Sequence, residues 1–300
     1  MDRFLSLKVF VAVGEEQSFA AAARRMALSP PAVTRAVGAL EQGLGVKLLQ
    51  RTTRIVRLTE AGARYLVDSK RILTELEDAD QAVSGAQAEV CGALAITTSM
   101  LFGRLFVAPI LHAFLAQHSK VNVRALFVDR VVDLIEEGLD VAVRIAHLAD
   151  ASFTAIRVGA VRNVVCASPA YLKRHGVPQT PADLKDMSAF CFSADRTPPA
   201  WSFQDGKRTL LVRPNARLVV NSPEVAMQGA VAGEGVTRVL SYQAASEVKA
   251  GRLRVILREF EPDPIPIHVI HREGKRAAAR VRAFVDFAVA ELRGNPLLKA

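Results

Sequence analysis

Residues 18–41 read SFAAAARRMALSPPAVTRAVGALE, two helix-favouring runs separated by Leu28 and Ser29. Ser18 suits the N-cap of the first run, Phe19 to about Met26, which is rich in alanine and carries Arg24 and Arg25 near its end. Ser29 suits the N-cap of the second. Pro30 and Pro31 fall in its first turn, where a missing N–H costs nothing. Ala32, Val33, Ala36, Val37 and Leu40 recur at helical spacing and are expected to face inward, with Thr34, Arg35, Gly38 and Glu41 facing out. Gly43 or Gly45 ends this helix. Two helices joined by a turn of about three residues make the shape that lays a second helix in a DNA major groove.

The flanks extend the pattern. Upstream, Phe4, Leu5, Leu7, Phe10 and Val11 predict another amphipathic helix. Downstream come Lys47, Arg51, Thr52, Thr53, Arg54 and Arg57, with no acidic residue between Glu41 and Glu60. The alternation Arg54, Ile55, Val56, Arg57, Leu58 suits a short two-stranded wing whose basic tip lies along phosphates. Ser29, Pro31, Ala32, Thr34 and Arg35 are the small or hydrogen-bonding residues that a groove-reading helix needs near its N-terminus. Arginine reaches guanine O6 and N7 with two hydrogen bonds, and threonine contacts a phosphate or a thymine methyl. Arg51, Thr52 and Arg54 are the phosphate candidates. A small helical bundle with a solvated basic edge satisfies the same pattern.

The remaining chain has two textures. Thr59 to about Ala88 is one long polar segment without proline, capped by Thr59. Along it Tyr65, Ser69, Ile72, Leu76, Ala79 and Val83 step by four and three, the spacing of a coiled-coil seam. That predicts a homodimer through Tyr65, Ile72, Leu76, Ala79 and Val83, which would match a pseudo-palindromic operator. A lone amphipathic helix packed on its own domain is the alternative. From Gly92 onward, Val/Ile/Leu-rich strands alternate with helices, an α/β pattern in two interleaved halves. Helices are expected around Arg104–Gln117 and Val131–Glu137, and a return strand at Ile267–Ile270. The domains expected are 1–58, a winged helix-turn-helix; 59–89, a linker and dimerisation helix; and 90–300, an effector domain. In the last, lobe I takes about 90–162 and 267–300, and lobe II about 163–266.

In open α/β sheets, ligands sit beyond the carboxyl ends of strands, often at helix N-termini. Thr97, Thr98 and Ser99 leave the first strand there, with Met100 opening the helix. Asn221 and Ser222 do the same later in the chain, and Thr237 joins the candidates on a further strand. Arg144 is a charge in an otherwise Val/Ala/Ile strand, an odd place without a partner. Together they suit a small carboxylate-bearing effector, although capping and an inter-lobe salt bridge account for the same residues. Trp201 and Phe203 fit core packing better than a pocket wall.

Composition bounds the classes. Half the residues are hydrophobic and the net charge is +9, which favours polyanion partners. The N-terminal apolar stretch lacks a signal-peptide cleavage site, and no apolar run reaches about 18 residues. A cytoplasmic protein without a membrane segment is expected. Cys91, Cys166 and Cys191 lack paired spacing and read as reduced thiols, buried rather than redox-sensing. No phosphate loop, nucleophile elbow, dinucleotide fingerprint or helical histidine pair occurs, so no catalytic set, no metal and no cofactor is expected.

Ser18-Phe19-Ala20-Ala21-Ala22, Leu28-Ser29, Pro31-Ala32-Val33-Thr34-Arg35, Leu40-Glu41, Leu44-Gly45, Leu48-Leu49, Arg51-Thr52-Thr53-Arg54 and Leu58-Thr59-Glu60-Ala61-Gly62 together resemble the DNA-binding domain of LysR-type transcription regulators. Gly92-Ala93-Leu94-Ala95-Ile96, Asp140-Val141-Ala142-Val143-Arg144, Ala167-Ser168-Pro169-Ala170-Tyr171-Leu172 and Gly233-Glu234-Gly235-Val236 resemble that family's effector domain, in the family's order. Pro30 stands where the family usually has glutamine. The resemblance implies an all-α winged helix-turn-helix with a long linker helix, followed by two doubly wound lobes like those of periplasmic solute-binding proteins. It also implies a regulator, not an enzyme, whose partners are double-stranded DNA, a small-molecule effector, further copies of the chain up to a tetramer, and RNA polymerase.

Overall fold

A computed structural model describes residues 2–51, 56–83, 90–148, 153–193, 197–271 and 277–299. The chain forms two compact units, one built on residues 2–83 with 135–138 and the other on residues 90–134 and 139–299. Each is taken by itself.

The first unit opens with α1 (Arg3–Glu16), α2 (Phe19–Arg25) and α3 (Pro30–Leu44). Ser18 and Ser29 are N-caps whose hydroxyls accept from Ala21 and Ala32, each satisfying one orphan N–H of a first turn. Between α2 and α3, Ala27 takes a left-handed φ of 52°. This lets Leu28 donate to the Ala23 carbonyl at 2.9 Å, a Schellman-type stop that sets the turn. Gly45, at φ 68°, ends α3. The α1 face that enters the core is Leu7, Val9, Phe10, Ala12 and Val13, while Phe4 and Leu5 stay exposed. They lie in the first turn, ahead of the packed stretch. Strands β1 (Leu49–Arg51) and β2 (Val56–Leu58) pair antiparallel, with Leu49 opposite Leu58 and Gln50 opposite Arg57. Then α4 runs Glu60–Val83, and residues 84–89 lie outside the described residues.

The second unit holds two five-stranded sheets. Sheet I has the order β4-β3-β5-β14-β6, from β3 (Gly92–Thr98), β4 (Val121–Phe127), β5 (Val141–Ile145), β6 (Thr154–Val161) and β14 (Ile265–His271). Sheet II has the order β11-β8-β12-β7-β13, from β7 (Asn163–Ala167), β8 (Ser188–Phe192), β11 (Asn215–Val220), β12 (Val236–Leu240) and β13 (Arg254–Ile256). A hairpin of β9 (Trp201–Asp205) and β10 (Arg208–Val212) covers one face of sheet II. The main helices are α5 (Met100–Phe102), α6 (Ala108–Gln117), α7 (Pro169–His175), α8 (Pro223–Val231), α9 (Ser241–Lys249) and α10 (Ala279–Gly294).

The chain crosses from sheet I to sheet II at Arg162, between β6 and β7, and returns between β13 and β14. Arg162 donates to Glu261 on the return crossing at 2.7 Å, so the two crossings are tied together. β3, β4 and β5 run parallel, which gathers Thr98, Phe127 and Ile145 at one edge. β8, β11 and β12 likewise gather Phe192, Val220 and Leu240.

Two expectations need correction. The helix expected at Val131–Glu137 is absent, and residues 134–138 form a turn. Seven residues are too few to hold a helix without tertiary help. Here Val131 is 95 % exposed while Leu134 and Leu139 bury under sheet I. Second, Met100–Gln117 is long and apolar enough to cross a bilayer by length and composition. Its Leu101, Phe102, Phe106, Val107, Ile110, Leu111 and Phe114 instead fill the core of lobe I. Charged Arg104 interrupts the run, which is why a scan for unbroken apolar stretches passes it by.

Candidate nucleic-acid interface and effector cleft

On α3 the buried row is Val33, Ala36, Val37 and Leu40, and the solvent row carries Ser29, Pro30, Pro31, Thr34 and Arg35. Ala32 is half-buried between them. Arg35 is exposed and has no hydrogen-bond or ion-pair partner among the described residues. The helix therefore offers a short, small-residue ridge ending in one uncommitted guanidinium, the geometry a groove-reading helix requires.

Glu41 departs from expectation. It is 3 % exposed rather than outward-facing. Positions 33, 37 and 41 form one helical row, so Glu41 continues the inward stripe. Its Oε1 accepts from the main-chain N–H groups of Leu48 and Leu49 at 3.0 and 3.1 Å, and its Oε2 from Lys47 Nζ at 2.7 Å. Burial pushes its carboxyl up, but Lys47 and the two N–H donors outweigh it and leave the group below its ordinary 4.5. One buried carboxylate thus fixes the root of the wing to α3. The helical row was the available signal.

The other side of the root is held by α4. The Thr59 hydroxyl donates to the Lys47 carbonyl at 2.8 Å and accepts from Gly62 N at 2.9 Å. A Cβ on Gly62 would lie 1.9 Å from the Leu48 carbonyl oxygen, so only glycine fits. On the wing, Gln50 and Arg57 share its exposed outer face. Thr52 and Arg54, with the side chain of Arg51, lie outside the described residues.

The α4 stripe is divided. Tyr65 and Leu66 pack on the first unit's core, Leu73 joins it, and Ser69 is fully buried. The Tyr65 ring sits 5.7 Å from that of Phe10, and Lys70 pairs with Glu15 on α1 at 2.6 Å. This half matches the alternative of a helix packed on its own domain. Ile72 is 39 % exposed and Leu76 half-buried, while the side chains of Ala79 and Val83 lie outside the described residues.

In the second unit, Thr97 and Arg144 come together at the parallel edge of sheet I. Arg144 Nη2 donates to Thr97 Oγ1 at 2.8 Å and its Nη1 to the Val128 carbonyl at 3.4 Å. Thr98 is fully buried, and its hydroxyl has no hydrogen-bond partner among the described residues. Ser99 precedes α5 without a side-chain cap bond, and Met100 N binds Asp129 at 3.0 Å. On sheet II, Ser222 caps α8 by accepting from Val225 N at 3.4 Å, Asn221 is exposed, and buried Thr237 donates to the Phe190 carbonyl at 2.8 Å. Thr97, Thr98, Ser99, Met100 and Arg144 thus form one group, and Asn221 with Ser222 a second. Thr237 is spent inside sheet II. Arg104 pairs with Glu224, joining the helix that follows Ser99 to the start of α8. Beside this pair a hollow of about 460 Å³ is lined by Leu101, Arg104, Leu105, Glu224, Met227 and Gln243, among others.

Trp201 and Phe203 are core residues of lobe II, at 3 % and 2 % exposure. Sequence reasoning missed Arg238, a charge inside an apolar strand, although the same signal singled out Arg144. Burial pushes the Cys166 and Cys191 thiols up to about 12 and about 11. Burial also holds His268 and His271 below the ordinary 6.5.

Residues 4–63 match the family model described as bacterial regulatory helix-turn-helix protein, lysR family, and residues 87–293 match LysR substrate binding domain. An HTH-type transcriptional repressor of Pseudomonas aeruginosa is 30 % identical over 99 % of this chain and 94 % of its own. The HTH-type transcriptional activator AaeR of Escherichia coli is 32 % identical, over 95 % and 93 %. Among solved structures, CrgA, a LysR-type transcriptional regulator from Neisseria meningitidis, is 30 % identical with a TM-score of 0.61, covering 97 % of this chain and 99 % of that one.

Proposed function

The chain belongs to the LysR family of bacterial transcriptional regulators, and from that membership we propose that it reads specific double-stranded DNA under the control of a small carboxylate. The observation that carries the DNA reading is the solvent row of α3, with Ser29, Pro31, Thr34 and Arg35 presented on a helix whose opposite face is locked into a core. Arg35 takes a guanine edge, Thr34 and Ala32 supply a phosphate or thymine-methyl contact, and Arg51, Thr52 and Arg54 follow the backbone. The effector sits between the strand ends of the two sheets, near Thr98, Ser99, Met100, Arg144, Asn221 and Ser222. Its binding draws the lobes together about the tied crossings at Arg162 and Glu261. A homodimer through Ile72, Leu76, Ala79 and Val83 presents two reading helices to a pseudo-palindromic operator, and the protein works in the cytoplasm.

The test is a gel shift on the intergenic DNA upstream of its own gene, with excess unrelated DNA as competitor. A discrete shift that survives competition is expected. Arg35→Ala should cost about 1–3 kcal/mol at one base pair and relax specificity there. An Arg35→Ala chain that keeps full affinity and full discrimination between matched and mismatched operators refutes the assignment of the reading helix.

A further inference from the structure

Arg238 lies on β12, the middle strand of sheet II, between β7 and β8. Alternation along a strand puts Val236, Arg238 and Leu240 on one face. Val236 is buried in the lobe II core on that face, whereas Leu240 packs against the core of lobe I. The guanidinium therefore sits where the interior of lobe II meets the junction with lobe I. It lies over the Phe203 ring, 5.4 Å from the centroid.

Among the described residues, the other inward arginines of this unit reach oxygen. Arg162 has Glu261, Arg144 has Thr97, and Arg280 has the Ala93 carbonyl. Arg238 has neither a carboxylate nor a hydrogen-bond acceptor among the described residues, and burial pulls its pKa down to about 10. A ring face offsets only part of the cost of desolvating a guanidinium. Arg238 is half-buried, so on this central strand at the lobe junction its guanidinium edge stays open to an anion from solvent.

We propose that Arg238 is the anion anchor of lobe II and binds the carboxylate of a small organic acid, which rests on the effector reading above. The guanidinium edge takes both carboxylate oxygens, with the Phe203 ring beneath it. One cation stacked on a phenyl ring, with no second cation beside it among the described residues, matches a monoanion. A phosphate monoester would bring a second, uncompensated charge. Neutralising Arg238 two residues before Leu240, which already touches lobe I, couples occupancy to the lobe junction.

The experiment uses the full chain, titrated with sodium acetate, propionate and benzoate at constant ionic strength. The readouts are melting temperature and the fluorescence of Trp201, the chain's one tryptophan, two residues from Phe203. Arg238→Met is expected to melt no lower than wild type without acid, since it removes an uncompensated charge, and to weaken the best acid about tenfold to hundredfold. Arg238→Lys should keep part of the response. If Arg238→Met binds the acid as tightly as wild type, the anchor is elsewhere and the effector reading survives. If Arg238→Met and Arg238→Lys both melt far below wild type, the guanidinium is structural and the proposal falls. If no acid moves wild type, the carboxylate reading fails and the anchor with it.

Discussion

Replacing Glu41 by alanine should uncouple the wing from α3. The carboxylate accepts from Leu48 N and Leu49 N at 3.0 and 3.1 Å, and both residues are buried. Alanine strands two buried N–H donors, each worth about 1–3 kcal/mol, so the first unit should lose about 3–4 kcal/mol after some water entry. The Lys47 pair adds little, because the Lys47 side chain is 80 % exposed. Glu41→Gln keeps one acceptor and should cost about 1–2 kcal/mol. The sign with pH follows from the lowered pKa. A carboxyl lower in the folded than in the unfolded state contributes fully above the unfolded value and loses that contribution as pH falls through the folded value. The gap between wild type and Glu41→Gln should therefore be full at neutral pH and close below the ordinary 4.5. Hydrogen exchange of peptides spanning 46–51 and 56–62 reports the wing directly, and Trp201 in the second unit serves as an unaffected control. Unchanged exchange at Leu48 and Leu49 in Glu41→Ala would refute the reasoning, as would a Glu41→Gln deficit that persists in acid.

Gly62→Ala places a methyl 1.9 Å from the Leu48 carbonyl oxygen. It should cost about 3 kcal/mol and weaken operator binding, measured by exchange and gel shift on the same sample. Arg162→Ala leaves Glu261, whose side chain is 10 % exposed, without its ion-pair partner. A loss of about 2–4 kcal/mol is expected in the urea transition followed by Trp201, with Glu261→Gln milder. Cys166 and Cys191, with thiols pushed up to about 12 and about 11, should resist a disulfide reagent in the native chain at pH 8 and react once urea unfolds it. Fast native labelling of either one contradicts their burial.

Much of the first unit was legible because its signals are local. Ser18 and Ser29 are caps, Pro30 and Pro31 can sit only in a first turn, and Val33, Ala36, Val37 and Leu40 repeat at helical spacing. Glu41 was misread because residue type spoke louder than position: a carboxylate suggests solvent, while the 33, 37, 41 row points to the core. The second unit was less legible. β6, β8, the β9–β10 hairpin and β13 escaped a reading based on short apolar runs. Val131–Glu137 kept a turn because burying Leu134 and Leu139 prevailed over local preference.

By itself the sequence determined the element types around the helix-turn-helix, the caps that bound them, the outward ridge from Ser29 to Arg35, and the alternating α/β character beyond Gly92. These follow from backbone sterics and periodicity within a few residues. Only the tertiary structure decided which polar groups are spent and which are left over. Glu41 is consumed by two N–H groups seven and eight residues on, Arg144 is oriented by Thr97 forty-seven residues back, and Arg162 is paired with Glu261 on the other crossing. Arg238 is left facing a phenylalanine ring. Desolvation and hydrogen-bond satisfaction depend on neighbours brought from distant parts of the chain, and no local pattern records them.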